Sequence, residues 1–95
     1  MFVVQLKFTE ARARAPQFME AHNAWLKRGF DDGLFLLAGS LQPRLGGAIL
    51  VHGVSLDALQ QRLGDDPFVA EGIVSTEVME IDPGRADERL QFLVA

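Results

Sequence analysis

The feature that most constrains this chain is the way its hydrophobic period changes along the sequence. Phe2, Val4, Leu6 and Phe8 alternate with Val3, Gln5 and Lys7, the period-two signature of a half-buried strand. Thr9 to Ala15 reads as a polar connector. From Pro16 to about Asp32 the apolar positions recur at helical spacing, with Pro16 suited to a first turn and Gly33 placed as the stop. "LFLLAG" and "AILVHG" read as short apolar strands, and "SLQPRLGG" between them has the Pro and Gly of a loop. Ser55 is placed to cap a short helix whose Leu56, Leu59 and Leu63 share one face. "DDPF" reads as a turn, since a residue before proline avoids the helical region. "GIVSTEVMEI" is the last clear strand, broken by Pro83 and Gly84, and "RADERLQFLVA" leans to a short terminal helix.

The order strand, helix, strand, strand, helix, strand predicts an α+β fold: the ferredoxin-like βαββαβ arrangement, an antiparallel sheet with both helices on one face. Ninety-five residues make one domain, 1–95. A chain this short buries only part of its surface alone. The sheet face away from the helices is expected to carry Ile49 and Val51 beside Gln5 and Lys7. Such a partly apolar open face would gain by packing on a second copy, so a homodimer is expected.

Composition narrows the function. Hydrophobic residues make up 48% of the chain, which excludes a disordered segment. A net charge of −4, with Lys and Arg scattered, argues against nucleic acid as a partner. There is no cysteine, so disulfides, thiolate catalysis and cysteine-based zinc sites are excluded. "MFVVQLKF" is too short and interrupted for a signal segment, and no apolar run reaches membrane-spanning length. The expectation is a cytoplasmic protein with no membrane partner, no metal and no cofactor.

One residue sits oddly in the first helix. On a helical wheel Phe18, His22, Trp25, Leu26 and Gly29 fall in one arc, with Met19 and Phe30 at its edge and Gln17, Glu20, Lys27 and Arg28 opposite. His22 therefore points at the sheet, where both ring nitrogens need partners. The plain reading, favoured by the wheel alone, is a core histidine bonded to a backbone carbonyl. The other is a base whose tautomer is fixed by a carboxylate on one nitrogen. Asp31 and Asp32 lie too far along the helix, and Asp57 is better explained by the dipole of the second helix. Asp66 differs: held extended by Pro67 next to Phe68 where the second helix ends, it is able to reach the first helix, with a solvated turn or cap residue as its plain reading.

The chain resembles the YciI-like (YCII-related) family. The matching features are "AHNAWL" with His22 and Leu26, "DDGLFLLAGS" with Gly33 and Gly39, the pair Gly46–Gly47, "DDPFVAEGI" with Asp66, Pro67, Phe68 and Gly72, and Pro83 after the last strand. Together they span most of residues 1–83. The resemblance implies a dimeric α/β barrel of ferredoxin-like units and a His–Asp site, which by motif is His22 and Asp66. Two departures stand out. Ser40 follows "AG" where members often have proline, and "GRADERLQFLVA" extends the chain over 84–95, as a cover for the pocket or a piece of interface.

Other polar residues have plainer readings. Ser40, at a strand end pointing into the loop, and Arg44, in "QPRLGG", are candidate substrate contacts, although the residues themselves favour a loop hydroxyl bonded to nearby backbone and a solvated loop charge. Phe68 and Trp25 are candidate pocket walls or core. His52 ends a strand and has no neighbour at metal-ligand spacing. "LGGA" lacks the pattern of a phosphate loop, and no nucleophile elbow surrounds Ser40. With the dyad that the resemblance implies, the first reading is an enzyme in which His22, oriented by Asp66, acts as general base or acid on a small cyclic or conjugated molecule, by proton abstraction followed by elimination or isomerisation. A metabolite-binding dimer, and by fold analogy a cofactor-independent monooxygenase, are the alternatives.

Overall fold

The computed structural model describes residues 1–94. In chain order it contains β1 (Phe2–Phe8), a 3-10 turn (Arg12–Arg14), α1 (Ala15–Asp31), β2 (Phe35–Leu41), β3 (Gly46–Val51), α2 (Leu56–Gly64), a short α3 (Pro67–Ala70), β4 (Val74–Glu80) and a 3-10 segment (Glu88–Leu93). The four strands form one sheet in the order β2-β3-β1-β4, every neighbouring pair antiparallel. This is the ferredoxin-like arrangement that the element order predicts. No helix is long and apolar enough to cross a membrane among the described residues.

Alternation in β1 puts Phe2, Val4 and Leu6 in the core, each nearly inaccessible. Pairing carries that face across the sheet: Phe2 stands opposite Val51 and Val4 opposite Ile49. Ile49 and Val51 are therefore core residues, not part of the open face expected for them, because opposed residues of an antiparallel pair share a face. Trp25, Leu59, Leu63 and Phe68 close over them from the helices in one buried cluster. The open face instead carries a row across all four strands: Leu37, Leu50, Val3 and Met79.

The local chemistry explains the boundaries. Pro16 lies in the first turn of α1, and Gly33 at φ +75° ends it. Gly29 brings α1 down onto β2, since a Cβ there would run into the Phe35 ring. Ser55 caps α2, its hydroxyl oxygen accepting from the Ala58 amide at 3.1 Å. The Trp25 indole donates to the Arg62 carbonyl at 2.9 Å, tying α1 to the end of α2.

One irregularity in β2 changes which of its residues face the helices. The register of β2 against β3 shifts between Phe35, opposite Val51, and Leu37, opposite Leu50. Such a bulge reverses the side on which later residues point. Leu37 and Gly39 turn outward, and Ala38 and Ser40 turn toward the helices, opposite Ile49 and Gly47.

Beyond β4 the chain crosses the sheet end at which β1 begins. The Ile81 amide donates to the Met1 carbonyl at 2.8 Å. The Phe92 ring meets His52 edge-on at 5.4 Å, and the His52 Nε2 donates to the Gly33 carbonyl at 3.0 Å. Arg89, bonded to Asp87 through side chain and backbone, holds the Asp87 carboxyl below its usual range. Ala95, the last residue of the expected terminal helix, lies outside the described residues.

Candidate active site

Asp66 occupies the junction of α2 and α3. Its backbone is extended, at φ −68° and ψ 124°, as the following proline requires. From there Oδ1 accepts from the Phe68 amide at 3.1 Å, making Asp66 the cap of α3. The same oxygen lies 2.8 Å from Nδ1 of His22. Asp66 is thus a cap and a histidine partner at once, and it is fully buried, not solvated. Its Oδ2 is buried with no hydrogen-bond partner among the described residues.

The pair fixes the histidine. A carboxylate accepts, so Nδ1 donates the proton, and in the neutral ring the lone pair then lies on Nε2. Nε2 makes no hydrogen bond among the described residues and is not sealed from solvent. The His22 side chain is 11% exposed. The Phe68 ring covers one imidazole face, and Trp25 stacks at 5.9 Å between centroids with 27° between planes. The backbone-bonded core histidine is not what this geometry contains.

His22 lines a cavity of about 290 Å³ between α1 and the sheet. Met19, His22, Asn23 and Leu26 of α1 form one wall, at the three- and four-residue spacing of a single helix face. Ala38, Ser40, Gly47 and Ile49 form the floor on the sheet side, and Phe8, Phe68 and Val74 add further apolar lining. The lining is mostly apolar, with the imidazole, the Asn23 amide and the Ser40 hydroxyl as its polar side-chain groups.

The candidate residues of the sequence separate here. His22, Ser40 and Phe68 all line the cavity, with Asp66 directly behind His22. Ser40 is inside β2 and faces the helices, not a loop; the bulge and its pairing with Gly47 put it there. Arg44 is not among the lining residues. It sits exposed in the β2–β3 turn at φ +57°, its carbonyl accepting from the Arg12 guanidinium at 3.3 Å. The C-terminal segment packs on His52, at the sheet end away from Ser40 and Gly47, so it does not cover this cavity. Asn23 is a lining residue that the sequence reasoning misses, although a polar residue on an otherwise apolar stripe with Met19 and Leu26 is a legible signal. No group of three or more His, Cys, Asp or Glu that could hold a metal occurs among the described residues.

Three comparisons with known proteins bear on this geometry. The sequence model of the YCII-related domain matches residues 1–82. A search of curated proteins gives no match. Among solved structures, 5-chloro-2-hydroxyhydroquinone dehydrochlorinase (TftG) from Burkholderia phenoliruptrix AC1100, in complex with 2,5-dihydroxybenzoquinone, superposes with a TM-score of 0.73 at 18% identity, covering 87% of this chain and 94% of that one. At that identity the likeness speaks for the fold.

Proposed function

The chain belongs to the YCII-related domain family, and from that premise we propose that it is a small-molecule enzyme working by general acid–base chemistry at His22. The single observation that carries this reading is the 2.8 Å contact between His22 Nδ1 and a fully buried Asp66, beside a cavity of about 290 Å³.

In this mechanism Nε2 of His22 takes a proton from an acidic C–H or O–H of the substrate. The electron pair left behind is delocalised through a ring or a conjugated carbonyl. The imidazolium so formed is held by the Asp66 carboxylate, which keeps its orientation and stabilises its charge. The proton then goes to the departing group, completing an elimination, or to another atom of the substrate, completing an isomerisation. Asn23 and Ser40 supply hydrogen bonds that orient the substrate, and Phe68 is a wall of the site. TftG is named a dehydrochlorinase and is bound to a quinone. Loss of HCl from a ring is an elimination of this type, which supports the reading by analogy.

The working unit in this reading is a homodimer built on the open sheet face. Leu37, Leu50, Val3 and Met79 offer it one apolar row across four strands, with Leu37 59% and Met79 46% exposed in the single chain. The whole chain acts as one domain, with residues 84–95 as an extension beyond the family match.

The test is proton exchange. Ring-hydroxylated and conjugated carbonyl compounds are incubated with the protein in D₂O and followed by NMR for exchange of carbon-bound hydrogen and for new products. Protein-dependent exchange that disappears in His22→Ala and falls in Asp66→Asn, with both variants folded, supports the mechanism. Binding without exchange in the natural protein overturns it in favour of a metabolite-holding dimer.

A further inference from the structure

We propose that Gly47 is a specificity-determining residue: its missing side chain sets the size of ring that the cavity admits, and with it the substrate class, a planar molecule of one ring or two small fused rings bearing polar substituents. This rests on the acid–base reading of the same cavity.

The two neighbouring glycines at the start of β3 are glycines for different reasons. Gly46 has φ +139°, and a Cβ there would run into the Leu6 carbonyl. The backbone itself demands glycine at 46. Gly47 has no such backbone demand and only a mild close contact. Its φ lies outside the left-handed region, and an added Cβ would meet only the Gly39 carbonyl, at 3.3 Å. An alanine would ask the edge strand β2 for a few tenths of an ångström. Glycine inside a strand weakens it, and commonly marks a place where something else approaches the backbone closely.

The position of Gly47 says what approaches. On the helix-facing side it stands between Ser40 of β2 and Leu6 of β1. The next inward residues on β2 and β3 are Ala38 and Ile49. Ala38, Ser40 and Gly47 thus make a strip of small residues under the α1 wall of Met19, His22 and Leu26. The small residues leave backbone open to the cavity on its sheet side, and the imidazole lines it from the helix side.

Volume narrows the occupant. An apolar cavity of roughly 150 Å³ holds a benzene molecule. At about 290 Å³ this one holds a ring with several substituents, or two small fused rings when the floor is open. The Ser40 hydroxyl, beside Gly47, meets a ring hydroxyl or carbonyl at the floor. His22 meets an acidic hydrogen from above. A methyl group at position 47 would lift a flat ligand off the floor, and the effect grows with ring size.

The probes are phenol and 2-naphthol, titrated into ¹⁵N-labelled protein and followed at the Ser40 and residue-47 amides, in the natural chain, Gly47→Ala and Gly47→Val. Gly47→Ala is the arm that stands if Gly47→Val does not fold. In the natural chain both probes bind and shift those amides. In Gly47→Ala, 2-naphthol weakens about tenfold or more, the scale of an overpacked methylene group, while phenol changes less than about threefold. Equal loss of both probes, no change in either, or no binding of either by the natural chain overturns the proposal. The two readings fail separately. Proton exchange lost in His22→Ala with an unchanged ring-size preference in Gly47→Ala keeps the acid–base chemistry and removes the size role. Ring-size selection without any proton exchange does the reverse.

Discussion

The imidazole of His22 and the phenyl ring of Phe68 lie face to face, with centroids 4.0 Å apart and planes 4° apart. Phe68 is two residues from Asp66, which bonds the edge of the same imidazole. One three-residue element, Asp66–Pro67–Phe68, therefore holds His22 by edge and by face. Pro67 makes this possible by forcing Asp66 extended, so that its side chain turns back over the Phe68 amide.

Replacing Phe68 with leucine removes the stack but keeps an apolar side chain. Aromatic pairing and lost volume together predict a loss of about 1–2 kcal/mol, read by urea unfolding. Proton exchange should fall further than this stability change accounts for, because the ring of His22 loses the surface that fixes its orientation. An unchanged exchange rate would show that the hydrogen bond to Asp66 alone holds the imidazole.

His22→Leu is the sharper test of the pair. A simple core histidine would be replaced by leucine without cost. Here the change leaves a fully buried carboxylate without its imidazole, so unfolding free energy should drop by about 3–5 kcal/mol. Adding Asp66→Ser, which keeps a capping oxygen and removes the charge, should recover part of that loss. Equal stability of His22→Leu and the natural chain would refute the pairing.

Gly46→Ala should be far worse than Gly47→Ala, although the two glycines are adjacent. Position 46 combines φ +139° with a collision against the Leu6 carbonyl between two central strands. We expect a loss of more than about 3 kcal/mol, or failure to fold, measured by thermal unfolding. Comparable melting temperatures for the two variants would remove the distinction between them.

A charge in the open-face row should separate the copies. Met79→Lys lies opposite Val3 and outside the core, so it should leave the fold intact. Sedimentation of the natural chain should give a dimer at micromolar concentration, and of the variant a monomer, because an apolar interface does not bury an unpaired ammonium. A dimeric Met79→Lys would move the interface elsewhere.

The sequence by itself determined the order of the four strands and the two longer helices, and with it the sheet, but it read the start of the short α3 as a turn. Alternation in Phe2–Phe8, the helical arc around Trp25, and the punctuation at Gly33, Ser55 and Pro67 are local signals with local causes. They suffice because a strand or an amphipathic helix announces its period within one window. His22 is legible as an anomaly on its arc for the same reason, and Asp66 stands out through the proline after it. Which carboxylate bonds His22 comes from the motif resemblance, since two residues 44 positions apart meet only when α1 and α3 pack.

What only the tertiary structure decided is which way side chains face where two strands meet. From "LFLLAG" alone nothing places a bulge between Phe35 and Leu37, so the sequence leaves Ser40 at a loop and gives no reason to turn it inward. The expectation of Ile49 and Val51 on the open face fails because their parity relative to β1 depends on a register that neither strand encodes alone. The same pairing turns Gly47 from a turn glycine into the floor of a cavity. A period of two fixes alternation within a strand, but one added residue between strands reverses every assignment after it, and that count is settled by packing across the sheet.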